Sequence, residues 1–316
     1  MLGGRGAVTP GALLVIGDVV TDVLALHSRP VAAGTDTAAD IVVRPGGSAA
    51  NTAAWAAALG AEVRILARVG ADTGDWHRAH LTDVGVRPCL RVDPDHPTAV
   101  IIVMVDATGE RTMLTDRGAG GLLGPEDWDE ALLDGVTHLH LSGYLLFTPQ
   151  GLELAALAME RARRHGATIS VDPASTGFLA DFGTGRFIES TAGADVVLPN
   201  RSEAALLTGE SGPDAAAALL SDAYGLAVVK LGADGALAAR GGRITAEIPV
   251  APVTPVDSTG AGDAFAAGFL VAYLAGAGDA ATLTAGCRSG ARAVTQVGGR
   301  PGPLSGSHGT DLTGGS

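Results

Sequence analysis

Towards the end of the chain, Asp257-Ser258-Thr259-Gly260-Ala261-Gly262-Asp263 runs straight into Ala264-Phe265-Ala266-Ala267-Gly268-Phe269-Leu270. Gly260 and Gly262 allow a tight turn that aims backbone N–H groups at one point. The apolar run that follows reads as a buried helix, whose N-terminal dipole adds positive potential there. Such a turn suits an anion, for example a phosphoryl group in transit. Asp263 falls in the first helical turn, beside that point, where a carboxylate can orient an attacking hydroxyl or take its proton. A capping acid after an ordinary tight turn has the same local sequence. At a helix N-terminus an aspartate is expected below its usual pKa of about 3.9, hence ionised at pH 7 and a weak base whose main work is orientation.

Other residues could join it. Gly46-Gly47-Ser48-Ala49-Ala50-Asn51 leads into an alanine-rich helical stretch, with Gly60 and Gly70 beyond it. Gly17-Asp18-Val19-Val20-Thr21-Asp22 leaves the first apolar run at the end where α/β sheets bind ligands, and a carboxylate such as Asp22 can accept from two adjacent hydroxyls of a polyol. Arg111 and Arg117 carry forks that match a carboxylate or phosphate, although surface arginines read alike. Asn200 in Pro199-Asn200-Arg201-Ser202-Glu203 is placed either to cap a helix or to serve a site. His138 with His140, and His77 with His80, share a strand face or a helical turn, but no third ligand is spaced to complete a metal site.

These residues need a frame. Short β-branched runs at Leu13–Gly17, Val63–Ala67, His138–Leu141, Thr168–Asp172, Val196–Pro199 and Ala227–Leu231 alternate with helical patterns at Ala49–Leu59, Leu152–His165, Arg201–Leu207 and Asp214–Ala223. That alternation predicts an α/β fold, a Rossmann-like, mostly parallel sheet flanked by helices. Val31–Arg44 and Thr98–Thr115 break the pattern; the second reads as two strands about a glycine-containing turn, and together they suggest a small β-sheet lid over a pocket. The first eleven residues and 302–316 are rich in Gly, Ser, Thr and Pro and are expected to be disordered tails.

Composition excludes several classes. With 316 residues, 47% hydrophobic and 17% charged, the chain is globular. Its 21 basic and 34 acidic residues sum to −13, which argues against a nucleic-acid partner. The apolar uncharged stretch Ala264–Gly278 is broken by glycines and falls short of the roughly 20 apolar residues of a membrane span. Leu13–Ile16 is too short for a signal core and is followed at once by Asp18. Cys89 and Cys287 have no CxxC spacing, so a reducing cytoplasm fits best. Lys230 is the only lysine and follows Val229, so no GxxxxGK[ST] loop exists; HExxH, GxSxG and an early GxGxxG are missing too.

Taken together, the 46–51 and 257–270 stretches resemble the two signatures of the ribokinase-like (PfkB) carbohydrate kinase family, and the resemblance spans about Leu13 to Pro301. It implies that Asp263 is the catalytic base, that the amides of Gly260, Ala261 and Gly262 form the anion hole for the γ-phosphate, and that ATP and Mg2+ are required. It places Asp18, Asp22, Gly46, Gly47, Ser48 and Asn51 on the substrate side, where Arg111 and Arg117, on or just after the expected lid hairpin, could meet an acidic group of the substrate. On the nucleotide side it places Asn200, Glu203, Lys230, Gly232, Asp234, Gly235 and Cys287. Asp257 and Thr259, with the backbone around Ala293, Gln296 and Gly298, resemble the K+ site of ribokinase, whose serine near the end of that loop is replaced by Gly302. Ribokinase also has an asparagine at Val20, a lysine at Ser48 and a glutamate near Ser142-Gly143, differences that bear on ribose as the acceptor.

The expected protein is an ATP-dependent kinase for a hydroxyl of a small sugar-like molecule, with a kinase domain over 12–301, lid segments at about 31–45 and 98–116, and a homodimer through the lid. A nucleoside kinase of the same fold and a non-catalytic sugar- or nucleotide-binding regulator are the alternatives; a Rossmann-like oxidoreductase is disfavoured by the missing dinucleotide fingerprint.

Overall fold

Leu13, Leu14, Val15 and Ile16 are all fully buried, which requires a strand covered on both faces. The computed structural model describes residues 11–302 apart from 109 and 110, and of Arg111 the backbone only. Except for Gly11 and Gly302, the expected tails therefore lie outside the described residues.

The chain opens with β1 (Ala12–Ile16), β2 (Val20–Leu26), β3 (Asp40–Gly46), α1 (Ser48–Ala58), β4 (Val63–Gly70), α2 (Gly74–Asp83) and β5 (Val86–Asp93). A hairpin of β6 (Ala99–Val105) and β7 (Arg111–Asp116) follows, then short 3₁₀ turns and β8 (Val136–Ser142). Next come α3 (Pro149–His165), β9 (Thr168–Asp172), α4 (Thr176–Phe182), α5 (Thr184–Ser190), β10 (Val196–Val197), α6 (Arg201–Thr208), α7 (Pro213–Tyr224) and β11 (Leu226–Lys230). The antiparallel pair β12 (Ala236–Arg240) and β13 (Arg243–Ile248) precedes α8 (Ala261–Leu274) and α9 (Asp279–Ala293).

Nine strands form the main sheet in the order β13-β12-β11-β10-β9-β8-β1-β4-β5. It is parallel from β5 to β11. Since β1 lies between β4 and β8, the chain first builds towards one edge and then towards the other. That reversal opens a crevice beyond the carboxyl ends of the strands, where α/β sheets take ligands. Side chains alternate across the sheet: Leu14 and Ile16 pack towards α3 and α7, whereas Leu13 and Val15 pack towards α1, α8 and α9.

The second sheet has the order β3-β2-β6-β7. It corrects the expected lid in one respect. Val20–Leu26 is a lid strand rather than a loop leaving β1, so Asp22 sits within a strand, and most of the 31–39 stretch is irregular. Arg44, Asp22, Ile101 and Thr115 lie abreast in one register row, and Val43, Val23, Ile102 and Leu114 in the next, so these rows face opposite sides of the lid. The Asp22 row faces the crevice.

Helix α8 runs through the interior, buried from Ala264 to Leu270. Small residues permit this. A Cβ on Gly268 would fall 2.6 Å from the carbonyl oxygen of Ala285, and one on Gly286 would meet the Phe265 ring at 2.9 Å. Gly268→Val should therefore push α8 from α9 and cost ~1–3 kcal/mol by overpacking, read as a fall of several degrees in Tm in a thermal melt; an unchanged Tm contradicts this packing.

Candidate active site

The crevice collects side chains from the ends of the parallel strands. Asp18 follows β1, Ser142 ends β8, Asp172 ends β9, Asn200 follows β10 and Lys230 ends β11. The N-terminus of α8 faces them across a central chamber of about 400 Å³. Gly260 has φ 72°, and a Cβ there would lie 2.7 Å from the carbonyl oxygen of Gly299, so only glycine fits this turn. Gly260, Ala261, Gly262 and Asp263 all border the chamber.

Asp263 is held from α1. Its Oδ1 accepts from Ser48 Oγ at 2.8 Å and its Oδ2 from Asn51 Nδ2 at 2.9 Å. Ser48 and Asn51, expected on the substrate side, thus border the chamber and also position the acid. Burial pushes the Asp263 carboxyl up to about 7, with Asp172 and Asp18 adding to the rise and the two hydrogen bonds opposing it. This overturns the expected depression: exclusion of water and neighbouring negative charge outweigh the helix dipole. A carboxyl near neutrality is matched to taking up a proton at pH 7, which one near 3.9 is not.

Asp18 anchors α1, its Oδ2 accepting from the Ser48 amide at 2.7 Å and its Oδ1 from Ala49 N and Ser142 Oγ. Gly47 has φ 96°, and a Cβ there would meet the Asp18 carbonyl oxygen at 2.6 Å, so the position needs glycine on both counts. Asp22 stands on the inner face of the lid. Burial lifts it to about 7, Asp18 adds to the rise, and Arg300 opposes it. Arg300 escaped the sequence reading: it returns from the final loop to donate from Nη2 to the carbonyl of Gly46 at 3.0 Å. Burial draws its guanidinium down to about 10 against the pull of Asp22 and Asp18.

On the far side, Lys230 Nζ lies 2.5 Å from Asp172 Oδ2. Burial works against the charge of Lys230, but Asp172 and Glu203 outweigh it and hold the amine above its ordinary value. Asn200 and Glu203 form a reciprocal capping box on α6, with Asn200 Oδ1 accepting from Glu203 N at 2.9 Å and Glu203 Oε2 accepting from Asn200 N at 2.8 Å. The capping reading of Asn200 holds, and both residues also border the central chamber. Burial, with Asp172 nearby, raises the Glu203 carboxyl despite Lys230. Asp172 was read only as the end of a strand; an acid at that end of a parallel strand was its signal. Ala174, the non-glycine residue with positive φ (70°) among the described residues, borders the chamber too.

An adjoining apolar chamber of about 610 Å³ is bordered by Gly232, Gly235, Cys287, Phe265 and Val253, and shares Lys230, Ala261 and Gly262 with the central one. Asp234 is not brought to either. It points outward, its carboxylate 2.6 Å from Arg201, with 73% of the side chain exposed. Arg117 lines an outer cavity, whereas the Arg111 side chain lies outside the described residues. Asp257 ties the loops flanking the glycine turn together, Oδ1 accepting from Thr259 N and Oγ1, and Oδ2 from Gly298 N at 2.9 Å. The backbone amide of Gln296 donates to the Ala293 carbonyl within the same loop. The histidines meet protein groups: His138 and His140 both meet Ser170 Oγ, His77 meets Thr21 Oγ1 and His80 the Trp76 carbonyl, and among the described residues no His/Cys/Asp/Glu cluster could hold a metal alone.

A glycine turn at a helix N-terminus, a buried acid and two chambers meeting at them are an arrangement suited to a phosphotransferase with a hydroxyl acceptor. The description pfkB family carbohydrate kinase matches residues 11–305. An ATP-dependent ribose-1-phosphate kinase of Halopiger xanaduensis is 34% identical over 242 residues, 72% of this chain and 73% of its own. An adenosine kinase from Sinorhizobium meliloti superposes with a TM-score of 0.85 at 27% identity, over 92% of this chain and 96% of that one. A putative ribokinase II from E. coli, solved with ATP and Mg2+, superposes with a TM-score of 0.83 at 25% identity, over 93% and 96%. The chain belongs to the pfkB family of carbohydrate kinases and is an ATP-dependent kinase of sugar or sugar-like molecules.

A general base works only when deprotonated, and the Asp263 carboxyl lies at about 7; with Asp263 in that role, kcat/KM should climb through pH 6–8 and fall about tenfold per unit well below that range. A pH–rate series showing a flat profile there contradicts the assignment.

Proposed function

We propose that the base and ribose of ATP occupy the apolar chamber, that the γ-phosphoryl meets the amides of Gly260, Ala261 and Gly262, and that Asp263 receives the proton of the acceptor hydroxyl. The hydroxyl oxygen forms a bond to the γ-phosphorus, the bond from that phosphorus to the β–γ bridging oxygen breaks, and ADP leaves. The observation that carries this reading is the place of Asp263, in the chamber that the glycine turn, Lys230 and the lid-side aspartate Asp22 also border. Phosphoryl transfer is loose in most analyses, so alignment and stabilisation of the equatorial oxygens supply most of the rate.

Charge supports a metal-bearing nucleotide. Lys230 faces Asp172, Glu203 and Asp263, a balance that would repel bare triphosphate. Mg2+ is usually held by one or two carboxylates together with phosphates and water, and Asp172, Glu203 and Asn200 are the residues that would hold it here. Bound with the nucleotide, it neutralises phosphate charge. A monovalent cation would fall to Asp257, Thr259 and the backbone at Ala293, Gln296 and Gly298. On the substrate side, Asp22, Asp18 and Gly47 border the acceptor's place, with Gly46 behind them. The kinase domain spans 12–301, and the protein acts in the cytoplasm. Among the described residues no helix is long and apolar enough to cross a membrane.

The outward lid row supports assembly. Val43, Ile102 and Leu114 are 53%, 39% and 56% exposed, with Ile41 at 65% on the same face. A continuous apolar sheet face of this kind suits a second lid in a homodimer. Ile102→Asp with Leu114→Asp should convert dimer to monomer in sedimentation, and a wild-type monomer would refute it. Asp263→Ala should lower kcat by roughly 10²–10⁴-fold with ATP affinity nearly unchanged; kinetics together with nucleotide binding check this, and near-normal turnover removes the mechanism.

A further inference from the structure

Past Asp18 the central chamber opens into an outer cavity of about 490 Å³, within the range of small-molecule sites. Phosphoryl transfer itself has no use for it. Asp18, Ile101, Met113 and Tyr144 border both spaces, so one molecule can extend from Asp263 into the outer one.

The walls there are unusual for this chain. It has only 6 Phe and 3 Tyr and fills most of its interior with alanine, valine and leucine. Yet Tyr144, Phe147, Phe178 and Phe182 gather in one cluster, with ring centroids 5.5–6.3 Å apart. Tyr144 and Phe178 form the wall, while Ile101 and Met113 of the lid face the same cavity. The guanidinium of Arg117 lies 4.7 Å from the Phe178 ring centroid, and its Nη1 donates to the Tyr144 carbonyl at 3.4 Å. The cavity is therefore mainly apolar, aromatic on one side, with a donor fork at its margin.

A free pentose presents hydroxyls all round and would leave this apolar space to water. A phosphate or carboxylate substituent also fits badly. Asp18 and Asp116 border the cavity with Arg117, and Asp18 already meets the charge of Arg117, so an anion would enter a field that is on balance negative.

We propose that the acceptor is an uncharged riboside or similar glycoside, whose flat heteroaromatic ring enters the outer cavity against Tyr144 and Phe178 while its sugar hydroxyl lies at Asp263. Arg117 then donates to ring acceptors rather than to an acid. This assignment rests on the kinase reading above and narrows its acceptor.

The test is a panel of initial rates with ATP and Mg2+ on adenosine, inosine, cytidine, uridine, D-ribose and ribose 1-phosphate. At least one nucleoside should exceed D-ribose in kcat/KM by about 100-fold or more. Phe178→Ala should raise KM for that nucleoside by about tenfold and shrink its advantage over ribose. The proposal is overturned if D-ribose matches the nucleosides, or if ribose 1-phosphate is preferred and Arg117→Gln removes the preference. If nothing on the panel is phosphorylated, the kinase reading fails for these acceptors and titration calorimetry decides on the cavity. Nucleoside binding lost in Phe178→Ala supports it, and no binding by the wild type overturns it.

Discussion

Two hydrogen bonds join residues 215 and 212 positions apart in the chain: Ser48 to one oxygen of Asp263, Asn51 to the other. They fasten the start of α1 to the start of α8, and the rest of the site depends on that junction. A carboxylate taken out of water is costly unless its oxygens are satisfied. Here both oxygens are, and the same contacts fix the acid beside a helix N-terminus. Asp18 holds α1 from beneath, and the indole of Trp55 donates to the Gly299 carbonyl at 2.9 Å, drawing the final loop against both helices. The acid, the glycine turn and the lid side of the crevice are thus parts of one packed unit.

The balance of charge gives that unit its chemistry. Lys230, the only lysine of the chain, is committed to Asp172, while Arg300 faces Asp22 on the opposite side. Between them Asp263 is held by two hydrogen-bond donors, and burial, with the charges of Asp172 and Asp18, raises its carboxyl towards neutrality. In the proposed reaction, a base of that strength is matched to a hydroxyl that loses its proton late, after the phosphoryl group has begun to move.

Much of this was legible in the sequence. Buried parallel strands announce themselves as continuous apolar runs, and β1, β8, β9 and β11 fall close to where those runs lie. The glycine turn before α8 was equally plain, since both of its glycines and the acid are local signals. Less legible was whatever depends on distant partners. Val20–Leu26 carries Asp22 and Thr21 in a strand because β3 and β6 pair with it on both sides, and no local signal separates it from β1. β12 reads Ala-Leu-Ala-Ala-Arg, a helical composition that the sheet overrides. The raised carboxyl of Asp263, the partner of Lys230 and the reach of Arg300 are all properties of packing between remote segments. Asp234 erred the other way: its turn lies near the cleft, but the side chain points to Arg201 and solvent.

The most direct test is a crystal structure of the ternary complex with a non-hydrolysable ATP analogue, Mg2+ and a bound acceptor. The account predicts a γ-phosphate on the amides of Gly260, Ala261 and Gly262, with the acceptor hydroxyl about 2.6–3.2 Å from an Asp263 oxygen and in line with the γ-phosphorus. A γ-phosphate seated elsewhere, or a hydroxyl contacted by some other base, would contradict it.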